Sequence, residues 1–124
     1  MKAMKRYPHV LTQKEIIRLL RHRVYRVDAN TGMVYGPANK PVTPFMAYDC
    51  GREKPYLFVR LYSNNKRKAI SVSKLVWMSV TYQPVPPKFE IHHADNDPGH
   101  NWWSNLICLH KEDHKKMHEN DAPF

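Results

Sequence analysis

A chain of 124 residues with 42% hydrophobic and 25% charged residues fits one domain with one modest core, and its three tryptophans, seven tyrosines and four phenylalanines argue against disorder throughout. The formal net charge of +9 points to a polyanionic partner, nucleic acid before an acidic membrane surface, against the plainer reading of a solvated basic face. The two cysteines, Cys50 and Cys108, form no Cys-x-x-Cys pair, which argues against a zinc site of four cysteines or of a cysteine pair with a histidine pair. No apolar run approaches the ~20 residues of a membrane span, and no apolar stretch follows the basic N-terminus as in a secretion signal. The expected setting is therefore a reducing cytoplasm, with no membrane partner.

Residues 1–10 read as a basic, loosely held arm. Thr12 offers an N-cap with Glu15 as its capping-box partner, and Ile16, Ile17, Leu19 and Leu20 follow at helical spacing. This helix is expected to end by Arg23, with Arg18 and Arg21 on its basic side. Residues 25–28 and 33–35 flank a turn at 29–32 and read as a hairpin. Residues 36–55, with Pro37, Pro41, Pro44 and Pro55, form the least regular part. Residues 56–62 are the clearest strand, followed by a turn at 63–67 and a strand at 68–72. From Ser73, a candidate cap, the pattern becomes helical to about Tyr82, with Leu75, Val76 and Val80 inward, until Pro84, Pro86 and Pro87 stop it. A strand at 89–93, a loop at 94–104, a strand at 105–109 and a helix at about 111–119 complete the chain.

Six of the eight histidines fall within this last part: His92, His93, His100, His110, His114 and His118. His92 and His93 end a strand, on opposite faces if it stays extended. His110, His114 and His118 recur every four residues, along one helix face. These residue types suit phosphodiester hydrolysis, which needs a base for the attacking water and positive charge on the phosphate and leaving oxygen. A third group must hold the imidazole in the working tautomer.

At these residues the chain matches a known pattern. Ile91-His92-His93-Ala94-Asp95-Asn96-Asp97, then Asn101, then Asn105-Leu106, then Leu109 and His114, resembles the HNH endonucleases of the His-Me finger superfamily, and among them the phage and intron-encoded homing type. Tyr25, Val27 and Asp28 with Gly32, Val34 and Tyr35 resemble the small modular segment that often precedes this motif in phage nucleases. The resemblance covers residues 24–118. It implies His93 as general base, His92 and His114 as metal ligands, and Asn105 as the residue that orients His93 or locks the loop. The implied cofactor is a divalent ion, Mg2+ first, although two imidazole ligands suit Mn2+, Ni2+ or Zn2+ as well. The implied substrate is double-stranded DNA, in a bacterial or phage-infected cell. This chain departs from the pattern at Asp95-Asn96-Asp97, where the family has Asp-Gly-Asn, so the tight turn lacks its glycine; asparagine can adopt positive φ, though less freely. Trp102-Trp103 is a second departure.

The expected fold is α+β: an N-terminal helix, a small antiparallel sheet and a linking helix over 1–88, then a C-terminal ββα-metal unit over 89–124. His110, His118 and Asp95 fall to supporting positions around the site, Asp95 chiefly as a turn former. His9, His22 and His100 read as surface or loop histidines. Lys111, Lys115, Lys116, Arg18, Arg21, Lys66 and Arg67 are the candidate nucleic-acid contacts. The expected activity is metal-dependent hydrolysis of DNA by a monomer or homodimer. The alternatives are a non-cleaving nucleic-acid- or protein-binding phage accessory protein with the same fold, and a structural zinc site made of histidines alone.

Overall fold

The computed structural model describes residues 9–48 and 54–113. The basic arm ends in a two-residue strand, β1 (His9–Val10), which runs parallel to the later strand at residues 66–71. This pairing was not expected from sequence: its signal is the open edge of a distant strand, whose unpaired N–H and C=O groups it satisfies.

Helix α1 (Gln13–Arg21) starts where the capping pattern predicts. Glu15 N–H donates to Thr12 Oγ1 at 3.1 Å, and Thr12 N–H donates to Glu15 Oε1 at 3.0 Å, so two orphan helix donors are satisfied reciprocally. Ile16, Ile17 and Leu20 face the core. The Glu15 carboxylate also binds the Lys66 ammonium. That hydrogen bond, then the Thr12 amide, holds the Glu15 carboxyl down at about 2. Thr12→Ala is expected to cost about 1 kcal/mol. Urea denaturation would show a lower midpoint at unchanged slope.

Strands β2 (Arg26–Asp28) and β3 (Met33–Tyr35) form the expected antiparallel hairpin. The Tyr25 hydroxyl ties it to the main sheet, accepting from Tyr62 N–H at 2.9 Å and donating to Tyr62 O at 3.3 Å. The proline-rich part is more regular than its composition suggests. Strand β4 (Phe45–Tyr48) pairs antiparallel with β5 (Pro55–Ser63), placing Phe45 beside Phe58 with ring centroids 5.9 Å apart. As an edge strand β4 tolerates neighbouring prolines, because one side of its backbone needs no partner. Strand β5 turns into β6 (Lys66–Ser71) through Asn64 and Asn65, both at positive φ, as a two-residue hairpin loop requires.

Helix α2 (Val72–Thr81) begins two residues earlier than the capping reading placed it. Ser71 is the N-cap, accepting from Lys74 N–H, and Ser73 is buried inside the first turn. Leu75 and Val76 point inward as expected, whereas Val80 is exposed and Met78 is buried instead. Val80 stands on the last turn, just before Tyr82 closes the helix in the left-handed conformation. The following proline segment is pinned to α1: Gln13 Oε1 accepts from Val85 N–H at 2.8 Å.

Strands β7 (Phe89–His93) and β8 (Leu106–His110) form a second antiparallel pair. Among the described residues there are three sheets, β1-β6-β5-β4, β2-β3 and β7-β8, and the one expected to be antiparallel throughout contains a parallel pairing, β1 with β6. The architecture is α+β. Its core joins Ile16, Leu61, Leu75 and Met78 with Ile91 and Leu106 from the histidine-rich hairpin.

Candidate active site

The register of β7 and β8 sets His92 opposite Ile107 and His93 opposite Leu106, at the end where the long loop leaves the hairpin. The loop is built by its own short polar side chains. Asn96 N–H donates to His93 O at 2.9 Å, with Asn96 at φ 63°, the conformation the missing glycine would have taken. Asp95 Oδ1 accepts from Asp97 N–H at 2.9 Å, and Asp97 Oδ1 accepts from Gly99 N–H at 2.9 Å.

Asn105 closes the loop across its base. Its Nδ2 donates to Asp95 Oδ1 at 3.0 Å and to His100 O at 2.9 Å, while its Oδ1 accepts from Asp95 N–H at 3.2 Å. Of the two roles considered for Asn105, this geometry is that of a loop lock. The side chain that meets His93 is Asn101, whose Oδ1 lies 2.7 Å from His93 Nε2.

That contact determines the tautomer. Asn101 Nδ2 donates to Pro98 O at 3.2 Å, so its amide nitrogen is engaged and its oxygen faces the ring. An oxygen needs a donor, so Nε2 carries the proton and Nδ1 keeps its lone pair. His93 is 4% exposed, with Tyr56 tilted against it at 5.7 Å. Burial lowers its pKa below the usual 6.5, against an opposing pull from Asn101. The ring is therefore neutral at physiological pH, with one nitrogen able to accept a proton.

His92 is equally buried on β7. His114 and His118, and with them Lys115 and Lys116, lie outside the described residues, as does Cys50. His110 stands at the far end of the β7–β8 pair from His93, edge-on to Phe89 at 5.3 Å, and its Nδ1 accepts from Glu112 N–H at 3.1 Å. Four strand steps, roughly 13 Å, separate it from the base, which removes it from the immediate surroundings of His93. Among the described residues no three His, Cys, Asp or Glu side chains gather into a metal cluster. One imidazole, His92, is the described donor of the expected ligand pair.

His100 has more structure around it than a plain loop histidine. Its Nδ1 lies 2.6 Å from Asp95 Oδ2, its Nε2 3.3 Å from Asp97 Oδ2, and its ring stacks on Trp102 at 4.6 Å. Asp95 raises the His100 pKa, and His100 holds the Asp95 carboxyl well below the usual carboxylate range. A raised His pKa contributes stability below its unfolded value of 6.5 that is lost as pH rises through the folded value. A lowered Asp pKa contributes stability above 3.8 that is lost as pH falls. The clasp should be strongest between those two values. The Tm difference between wild type and His100→Asn is expected to peak there and to shrink with added salt. A difference flat across pH would refute the clasp.

The basic candidates divide. Arg18 is exposed on α1, and Arg21 is exposed with its guanidinium 4.7 Å over the Tyr82 ring. Lys66 is engaged by Glu15, so its charge is partly spent inside the fold. Lys111 lines an open groove of about 560 Å³, together with Lys68, Lys74 and Tyr56, the residue beside His93. Lys68 belongs to the basic Lys66-Arg67-Lys68 run that the sequence offers at the β5–β6 turn, whereas nothing local marks Lys74 on α2 as facing the histidine hairpin. Asn101 lay inside the recognised motif, eight residues after His93, and that spacing was the available signal.

No protein-family model matches the chain, and no curated protein matches it significantly. Among solved structures it is similar to the HNH homing endonuclease I-HmuI, from a study of that protein's DNA binding and cleavage, with a TM-score of 0.60 and 21% sequence identity. The match covers 82% of this chain and 56% of that one, so the chain spans little more than half the length of its structural neighbour. The likeness is one of fold: residues arranged as a small α+β unit like that of an HNH endonuclease.

Proposed function

We propose that this protein is a metal-dependent HNH endonuclease of the phage or homing type, which hydrolyses phosphodiester bonds in double-stranded DNA. The observation that carries the reading is the His93 imidazole, buried at the loop end of β7 with Nε2 engaged by Asn101. It sits in a fold like that of an HNH endonuclease. In the proposed mechanism Nδ1 of His93 takes the proton from the attacking water as the oxygen closes on phosphorus. Asn101 keeps the other ring nitrogen protonated, so the base always presents the same atom. Asn105 holds the loop that carries Asn101. The Tyr56 ring beside His93 limits the directions from which water can approach.

His92 and His114 are the proposed ligands of a divalent ion, in a ββα arrangement completed by the segment after Lys111. When bound, such an ion supplies positive charge to the scissile phosphate and the leaving 3′-oxygen. Lys111, Lys115, Lys116, Arg18, Arg21, Arg67 and Lys68 are proposed phosphate contacts, with Lys74 added from the groove.

Supercoiled plasmid should be nicked or linearised with Mg2+, Mn2+ or Ni2+, and cleavage should stop with EDTA. Plasmid binding without cleavage in all three metals would instead identify a non-cleaving protein of the same fold.

A further inference from the structure

We infer that the β2–β3 turn is a positioning element for His93: Gly32 braces Asn101, and Asn101 holds the imidazole. This rests on the endonuclease reading for its catalytic consequence, but not for the contact itself.

Gly32 has φ +82°, and a Cβ added there would meet Asn101 Cβ at 3.0 Å, Asn101 O at 3.2 Å and Asn101 C at 3.3 Å. Those atoms are β-carbon and backbone, not the flexible end of a side chain, so they cannot swing aside cheaply. Glycine is thus required twice, by its own backbone and by its neighbour. The turn and the loop are also bonded directly: Trp103 N–H donates to Ala29 O at 2.7 Å. The turn is itself stiff. Asp28 O accepts from Gly32 N–H at 2.7 Å, and Asp28 Oδ1 accepts from Asn30 N–H at 2.9 Å.

A cavity of about 160 Å³, lined by Gly32, Val34, Leu57, Val59, Gly99 and Asn101, lies between the hairpin, the main sheet and the loop. Beside that space the hairpin meets the loop at Gly32 with Asn101 and at Ala29 with Trp103, and these contacts fix where Asn101 stands. Asn101 is 3% exposed, and a small displacement would break its 2.7 Å contact with His93. The β2–β3 hairpin therefore reaches the base through two residues, Gly32 and Asn101.

The test compares wild type with Gly32→Ala, Gly32→Asn, Asn101→Ala and the Gly32→Ala/Asn101→Ala double variant. Asparagine tolerates positive φ far better than alanine, so Gly32→Asn keeps the added Cβ while relieving backbone strain. Single-turnover plasmid cleavage should slow roughly ten- to a hundredfold in both Gly32 variants at nearly unchanged plasmid affinity. The double variant should be no slower than Asn101→Ala alone, since no amide is left to misplace. Imidazole ¹⁵N spectra of metal-free protein at alkaline pH should show His93 as the Nε2–H tautomer in wild type and a mixed tautomer in the Gly32 variants. Gly32 variants that lose thermal stability but keep the wild-type rate and His93 spectrum would overturn the inference, as would losses that multiply fully in the double variant. If wild type cleaves no plasmid, the endonuclease reading fails, and the His93 spectra still decide the contact.

Discussion

His93→Ala is expected to slow plasmid cleavage about 10²–10⁴-fold while leaving DNA affinity nearly unchanged. The size follows from what the side chain does. It is the neutral, buried imidazole whose second nitrogen is held by Asn101 at 2.7 Å. It is the proposed proton acceptor, and the positive charge that would hold DNA is carried by other side chains, Lys111, Lys68 and Arg18. The alanine also strands the Asn101 oxygen without its donor, a cost of about 1–3 kcal/mol. His93→Gln, which retains a donor toward Asn101, separates loss of the base from loss of the fold. Cleavage that survives both changes assigns the base elsewhere. The pH dependence has a definite sign. Burial lowers the His93 pKa, so the neutral, working form persists below pH 6.5, and the acid limb of the cleavage rate should fall on the acid side of that value. The same shift means that protonating His93 costs stability as pH falls through that range.

Asn105→Ala is expected to destabilise the protein by about 3 kcal/mol, near 1 kcal/mol for each of three side-chain hydrogen bonds lost. All three tie the loop to itself, through Asp95 and the His100 carbonyl, at a side chain that is 7% exposed. Asn105→Asp should not rescue it, because the new carboxylate would face the Asp95 carboxylate instead of donating to it. Cleavage should fall with stability, since the loop that Asn105 closes is the one that carries Asn101. Urea denaturation measures the first effect; a loss below about 1 kcal/mol would show that the loop holds without its lock.

The histidine hairpin was legible in the sequence because its signals are local. Two runs of strand-forming residues bracket a loop whose Asp95, Asn96 and Asp97 bond their own backbone, and such turns need no distant partner. Helix α1 was legible for the same reason: Thr12 and Glu15 are three residues apart and satisfy each other. The linking helix was found but started late, since the strand pattern of residues 68–72 runs straight into it and hides Ser71 as the cap. Strands β1 and β4 were missed because strand pairing is completed by the partner. Neither His9–Val10 nor Phe45–Tyr48 carries a signal that outweighs its surroundings.

The sequence alone determined the chemistry available to this protein: an adjacent histidine pair on a strand, asparagines at set distances, and an excess of positive charge. It did so because residue type and short-range spacing are written directly in the chain. Only the tertiary structure decided which asparagine meets the imidazole. Asn101 and Asn105 are four residues apart in one loop and chemically identical, and the choice between them turns on how the loop folds back over β7. It is reinforced by Gly32, about seventy residues earlier in the chain, whose missing Cβ leaves room for Asn101. Contacts of that range are set by packing, where a few tenths of an ångström separate fit from clash, and no local pattern of residues records them.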